Sequence, residues 1–568
     1  MVRFNILVFI FLLFSAIKGF SCTNFLITKG ASTDGSCMIT YAADSHTLYG
    51  ELYYKPAANY PEGSMFDIYE WDTGKFLGKI KQVKHTYSVI GNMNEYQVAI
   101  GETTFGGRLD LQDTTSIVDY GSLMYIALQR AKTAREALKV MIDLVTEYGY
   151  YSEGESFSIS DANEVWILEM MGKGAGGKGA VWVAMRIPDG YISGHANHSR
   201  ITTFPLENGK TSISSKNLKK IFDPNIEVVY AYDVITFART KGFFEKEKKD
   251  NQFSFSDAYA PLDYGAIRFC DSRVWSGFRK VNSQMDKYVS YILGETTERI
   301  PLWIKPDKKL SVHDVMELMR DHFEGTVFDM TQDVGAGPFK CPYRWRPMTW
   351  KYDSVDYVHE RAISTQQTGF SFVAQSRSWL PNPVGGILWF GVDDTYMTVY
   401  CPMYCGIIKA PPSYAEGNGS MLNFTWNSAF WTFNFVSNWA YTRYNDMIKD
   451  IQPVQRELEN KFINDIINID KEASELYKSN PQKAIEYLTN YSVNQGEMTV
   501  ARWTKLGQYL FTKYMDGNVK KEKDGKFSTN GYNQAASPDH PAYPDEWYKL
   551  IVKEKGEILK DRKLPVQK

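Results

Sequence analysis

Cys22 stands directly after Gly19-Phe20-Ser21, with small residues where an export peptidase reads a cut after Ser21. Such a cut would make Cys22 the first residue, nucleophile and amine at once. A thiol is a good nucleophile once deprotonated, and a free α-amine, with an ordinary pKa of about 7.7 to 8.0, can take its proton near neutral pH. Upstream, Arg3 gives a basic start, and the uncharged, mostly apolar run from Ile6 to Ile17 falls short of the about 18 residues a spanning helix needs. A cut nearer Gly19 would leave Phe20 first; a retained anchor or a lipid on Cys22 are the other readings. Gly19-Phe20-Ser21 lacks the aliphatic residue that lipoprotein signals place three before the cysteine.

Other candidate residues lie where strands end. Cys22 to Thr28 reads as a strand, Lys29 to Gly35 as a turn with its Asp34-Gly35 signal, and Ser36 to Tyr41 as the returning strand. Pairing Thr28 with Ser36 predicts Cys22 opposite Ala42, with Asp44 just beyond on the same face, where its carboxylate could hold a terminal amine. Asp44-Ser45-His46 as the start of a polar loop is the competing reading. Asn94 reads as a turn residue, and the strand from Gln97 delivers Glu102, Thr103 and Thr104 to its exit end. His195-Ala196-Asn197-His198 ends a strand, where that spacing predicts the two imidazoles on opposite faces, so no metal is expected. The glycine-rich run 172–179 has phosphate-loop spacing, but Gly179 stands where a hydroxyl would meet magnesium and a strand follows. It reads as a hairpin connection, and no cofactor is expected.

The remaining elements frame these residues. The 568-residue chain has 64 basic and 66 acidic residues, which gives no support for nucleic acid or an anionic membrane as partner. Aromatic content is 15%, fitting either a large aromatic core or a glycan-binding surface. Six cysteines imply no disulfide scaffold, and Cys401 and Cys405 read equally as a local bridge or two buried thiols. Thr133-Ala134-Arg135-Glu136 is a capping box ahead of Leu138, Met141, Ile142 and Val145 at helical spacing, and the apolar stretch Ser122 to Leu128 predicts a helix before it. Strands are predicted at 156–160, 164–170, 181–187, 191–196, 371–375, 386–392 and 397–400. A capped helix is expected after Ser311, a buried aromatic helix over 426–439, and charged helices from about 440 to 514, ahead of a polar, Lys-rich tail. Strands, a helix pair, then strands make a layered α+β domain.

With these residues in view, Cys22-Thr23-Asn24-Phe25-Leu26-Ile27, Ala31-Ser32-Thr33-Asp34-Gly35, Asp44-Ser45, Asn94-Glu95, Asn197 with Arg200, Arg320 to Thr326, and Trp426-Asn427-Ser428-Ala429 resemble the C69 cysteine dipeptidases. Those are related to penicillin V acylase and bile salt hydrolase among the N-terminal-nucleophile (Ntn) hydrolases. The resemblance implies an Ntn-hydrolase four-layer αββα sandwich over 22–440, after a signal peptide at 1–21 and before a helical extension and polar tail at 441–568. It implies an exported, periplasmic or secreted enzyme that cleaves dipeptides through a cysteinyl thioester, with no stable membrane insertion once the signal is cut. Cys22 matches the nucleophile, Asp44 the acid orienting its amine, and Asn197 the residue of the oxyanion pocket. Thr104 falls where acylase relatives carry an oxyanion asparagine. Asp44 or Glu102 could anchor a substrate ammonium, with Arg200 as a further binding residue. Tyr41 departs from the pattern, since relatives commonly have arginine three before the acid; its loss removes a cationic neighbour of the thiol. An N-acyl amide hydrolase and a non-catalytic, lipid-anchored glycan-binding protein are the alternatives.

Overall fold

Asn24–Ile27 is buried at every residue and has a strand on each side, Cys37–Asp44 and Ile192–His195, both antiparallel. In the computed structural model, which describes residues 22–562, this strand lies inside a seven-stranded sheet. The sheet runs Trp303–Ile304, Ile192–His195, Asn24–Ile27, Cys37–Asp44, Thr368–Ser376, Gly386–Val392, Cys401–Tyr404. The expected leader at 1–21 lies outside the described residues.

The hairpin register differs by one residue from the predicted pairing. Leu26 faces Ile39 and Thr23 bridges Ala42, because Thr28 turns away to donate to Tyr191 O at 2.8 Å while Asp34 holds the Ser36 amide at 3.0 Å. Continued to the first described residue, this register sets Cys22 across from Ala43, beside Asp44.

A second sheet of nine strands is centred on Ala99–Gly106, Gly154–Ser160, Val165–Gly172 and Ala180–Arg186. The middle two are buried along their whole length, as strands covered on both faces must be. One face meets the first sheet. A Cβ at Gly101 would stand 2.8 Å from the Asn24 amide and 3.1 Å from Tyr41 Cβ, so only glycine permits that approach. His195 crosses between the sheets, with Nδ1 at 2.7 Å from Thr103 Oγ1 and Nε2 at 2.7 Å from Ser158 Oγ. Burial pushes its pKa down to about 3, so it is a neutral tie. Helices Tyr120–Arg130 and Ala134–Tyr148 pack on the nine-stranded sheet; Val312–Met319 and Ala429–Tyr441 pack on the seven-stranded one. Thr133 caps its helix by accepting from Glu136 N, but Glu136 accepts from Lys132 N, so the predicted box is only half formed; the capped helix predicted after Ser311 has a reciprocal box with Asp314. The glycine-rich run is a turn between antiparallel partners, Gly172 facing Ala180.

Several boundaries move, and the returning strand predicted to end at Tyr41 runs on to Asp44. The strand predicted at 397–400 is instead Cys401–Tyr404, where Pro402 is tolerated because this is the sheet's edge. The aromatic helix begins at Ala429, capped by Ser428, and leaves Trp426 half exposed before it. Cys401 and Cys405 are buried free thiols. The C-terminal helices Tyr444–Ser479 and Pro481–Tyr514 pack on each other and over the Cys401–Tyr404 edge. They are tied to the rest of the domain by Arg320, at the end of helix Val312–Met319, to Glu459 at 2.5 Å, both side chains buried, and by Arg377, just after strand Thr368–Ser376, to Asp470. Helix Asp545–Leu559 in the tail buries no residue, and among the described residues no helix is long and apolar enough to cross a membrane.

Candidate active site

The sheet interface opens at the C-terminal ends of Cys37–Asp44 and Ala99–Gly106 into a small cleft. Its lining includes Cys22, Asp44, Glu102 and Thr104, with Trp71, Asp72, Tyr120 and Phe370. Strand alternation explains the grouping: Glu102 and Thr104 are two apart and share a face, while Gly101 and Thr103 face the other sheet.

Cys22 is 5% exposed, and its thiol lies 3.7 Å from Glu102 Oε1 and 3.9 Å from Tyr41 Oη. The Tyr41 hydroxyl donates to the same Glu102 oxygen. Burial, then the charges of Glu102 and Asp44, push the Cys22 thiol well above its ordinary value, and the Asp44 backbone N–H opposes them. In the uninterrupted chain this thiol is therefore protonated at neutral pH. Position 41, where the resemblance implies a guanidinium, carries a hydroxyl bonded to an acid.

Asp44 follows a bulge against Thr368–Ser376, which re-aims its side chain. Its carboxylate takes Arg361 Nη2 at 2.5 Å and Thr368 Oγ1 at 2.6 Å. Burial raises its pKa while Arg361 and Thr368 oppose that rise.

A second buried arginine reaches Cys22. Arg273 donates through Nη1 to Cys22 O at 2.6 Å and Thr23 Oγ1 at 2.7 Å, and through Nη2 to Asn197 Oδ1 at 2.8 Å. Burial and then Arg361 lower its pKa to about 10, which leaves it charged at neutral pH. It stands in helix Ser272–Val281, and a Cβ at Gly277, one turn on, would lie 2.2 Å from the Phe25 ring. That glycine lets the helix lie on strand Asn24–Ile27 and puts Arg273 within reach of Cys22.

Asn197 adopts φ +59°, a conformation asparagine tolerates, and one amide hydrogen goes to Thr104 O at 2.7 Å. The second hydrogen remains. Thr104 is brought to the cleft, but its hydroxyl donates to Glu155 Oε2 at 3.1 Å, so its single hydrogen is committed there. Neither Asn197 nor Arg200 is among the lining residues. The Arg200 guanidinium is buried on Gly194 O at 2.8 Å, Ile300 O at 3.2 Å and Pro301 O at 2.5 Å, which makes it a brace for that loop. Glu169 holds the adjoining turn by accepting from Ser199 Oγ, Arg200 N and Ile201 N. His198 faces Asp271 at 3.3 Å, away from the partners of His195.

Sequence reasoning missed Glu155, Arg273 and Arg361. Arg273 follows a π-helical turn, Ala266–Asp271, in a stretch of weak periodicity, and Arg361 precedes its strand in a loop; neither carries a local signal. Glu155 had one available, as an acid one residue before a predicted strand that pairs with the strand of Glu102. Among the described residues, no group of three or more His, Cys, Asp or Glu is arranged to hold a metal ion.

Comparison with known proteins gives consistent matches. The model of peptidase family C69 matches residues 21–457. A "Probable dipeptidase" of Salmonella dublin is 24% identical over 423 residues, covering 70% of this chain and 84% of the relative. A "Probable dipeptidase B" of Streptococcus pyogenes serotype M1 is 22% identical over 505 residues, covering 85% and 91%. A "Probable dipeptidase" of Latilactobacillus sakei is 23% identical over 431 residues, covering 72% and 79%.

Proposed function

This chain belongs to peptidase family C69, and on that premise we propose that it is an exported dipeptidase working through a thioester on Cys22. Residues 1–21 are its leader, 22–440 an Ntn-hydrolase αββα domain, and 441–568 a helical extension with a polar tail. Removal of the leader frees the Cys22 amine, held near Asp44.

The amine takes the thiol proton and the sulfur attacks the peptide carbonyl. The second amide hydrogen of Asn197 and backbone N–H groups receive the oxyanion, and the same proton then goes to the leaving amine. Water cleaves the thioester and restores the thiol. Arg273 holds Asn197 and the Cys22 carbonyl in place, and its positive charge favours the oxyanion.

One observation carries the choice of substrate: the Glu102 carboxylate lies 3.7 Å from the sulfur in the cleft wall. In a dipeptide the α-nitrogen is two bonds from the carbonyl carbon that sulfur attacks. Its ammonium must therefore come within a few ångströms of Sγ, where Glu102 can accept it. An N-acyl amide would set an uncharged acyl group against that carboxylate.

The intact mass of the isolated protein tests the start at Cys22. Turnover of alanyl-alanine and propionyl-alanine by the parent and by Cys22→Ala tests the rest. Dipeptide turnover abolished in Cys22→Ala supports the proposal. An amino terminus elsewhere, full activity in Cys22→Ala, or preference for propionyl-alanine would end it, the last in favour of N-acyl amide hydrolysis.

A further inference from the structure

Glu102 and Glu155 stand side by side above Cys22. Antiparallel pairing sets Glu102 across from Phe157 and Thr104 across from Glu155, so the two glutamates are diagonal neighbours on one face. They are 1% and 0% exposed. Glu102 Oε1 accepts from Tyr41 and Cys22, and Glu155 Oε2 accepts from Thr104. The other oxygen of each, Glu102 Oε2 and Glu155 Oε1, is buried with no donor among the described residues.

Two neighbouring buried carboxylates, each with one bare oxygen, are satisfied together by a single proton between them. Burial and the charge of Glu102 push Glu155 well up, while hydrogen bonds from Glu155, Tyr41 and Cys22 oppose the rise that burial causes in Glu102, so the proton rests on Glu155. The other titratable groups around the pair are Cys22, Tyr41 and Asp44 on the nucleophile side, Asp72 and Tyr120 at the mouth, and Tyr150 behind.

We propose that Glu155 is a neutral carboxylic acid that donates its proton to Glu102 and so fixes Glu102 as the single anionic receptor for a substrate α-ammonium. Glu155 is thus a positioning residue for dipeptide specificity. Without that donor Glu102 would be a buried anion short of one hydrogen bond, free to turn or to take up a proton itself, and either change removes the ammonium's partner. This rests on the reading of Glu102 given above.

Two variants separate the roles. In Glu155→Gln the amide oxygen can accept from Thr104 while an N–H donates to Glu102; Glu155→Leu can do neither. On alanyl-alanine, kcat/KM of Glu155→Gln should stay within about 3-fold of the parent. In Glu155→Leu, KM should rise about 10 to 100-fold with kcat within a few-fold, the loss of a hydrogen bond to a charged group. Turnover of propionyl-alanine, which lacks the ammonium, should not change.

An independent readout is the infrared difference spectrum of parent minus Glu155→Gln at pH 7, which should contain a protonated-carboxyl stretch. A parental KM in Glu155→Leu, a Glu155→Gln as impaired as Glu155→Leu, or no carboxyl band would overturn the proposal. If the parent cleaves neither substrate, the dipeptidase reading fails by itself, and the infrared band alone decides the shared proton. It also decides if Glu155→Leu does not fold.

Discussion

Replacing Glu102 by glutamine tests the reasoning about substrate charge most directly. The glutamine side chain would keep an oxygen for the Tyr41 hydroxyl and fill the same volume, so the change is confined to one charge and one donor. An ammonium about 4 Å from a carboxylate at an effective dielectric of about 20 gains about 4 kcal/mol. The cleft opens toward exposed Asp72, and water there screens part of this. A loss of about 2 to 4 kcal/mol remains, or about 30 to 1,000-fold in kcat/KM for a dipeptide. Propionyl-alanine carries no charge there, so its turnover should hold or rise as the desolvated carboxylate disappears.

The same substitution has a second consequence of opposite sense. Because the Glu102 charge raises the Cys22 thiol, Glu102→Gln should move the pH profile of Cys22 alkylation toward acid. Assays of both substrates at pH 7, with iodoacetamide alkylation from pH 5 to 10, read the two effects separately. Equal losses on dipeptide and N-acyl substrate, with an unmoved alkylation profile, would refute the assignment of Glu102.

Other perturbations probe the frame. Asn197→Ala and Asn197→Gly should both lose about 100-fold or more in kcat, and only the alanine adds about 1–2 kcal/mol of left-handed backbone strain, seen as a lower melting temperature; an unimpaired glycine variant would make Asn197 structural. Arg320→Leu leaves Glu459 buried with the Tyr400 N–H at 3.0 Å, and should destabilise by about 3–5 kcal/mol in urea titrations, most of it recovered by adding Glu459→Leu. An undiminished single variant would show that the C-terminal helices do not depend on this tie. Burial, then Asp394, raises Asp393 to about 7, so the folded state binds more protons than the unfolded one from about pH 4 to 7, and stability falls as pH rises through that window. Asp393→Asn keeps partners in Ser437 and Asn434 and tolerates φ +67°; it should raise the melting temperature at pH 8 and change it little near pH 4. Equal shifts at both pH values would contradict the raised pKa.

What could be read from the sequence were features whose cause is local. Thr133 and Ser311 announce helix starts because a cap needs only the next three residues. The hairpin after Cys22 was readable for its turn signal, but the register slipped because Thr28 is claimed by Tyr191, a residue 163 positions away. The strand predicted at 397–400 stands instead at Cys401–Tyr404, where Pro402 is accommodated because the sheet order makes this an edge. For the site, Cys22, Asp44, Glu102 and Thr104 could be gathered in advance because strand ends deliver them to one opening. Arg273 and Arg361 could not, since they come from a helix and a loop 251 and 317 positions from their partners. Arg200 went the other way: a conspicuous residue beside Asn197 whose guanidinium is used by the backbone.

The tyrosine at position 41 poses a charge problem that these distant residues answer in part. Asp44 and Arg361 cancel, and one proton between Glu102 and Glu155 leaves that pair with a single negative charge, which Arg273 balances from across the nucleophile. With a neutral thiol the site is therefore near neutrality, and a thiolate added to it would stand uncompensated. Arg273 spends its hydrogen bonds on backbone carbonyls, the Thr23 hydroxyl and the Asn197 amide, so it gives its charge to the site as a whole. A free α-ammonium on Cys22 restores the balance, because an ammonium and a thiolate on one residue add no net charge to a buried site. With Tyr41 in place of the guanidinium that the resemblance implies, the site has an acid pair suited to a substrate ammonium, and on the proposed mechanism the thiolate depends on the amine of its own residue.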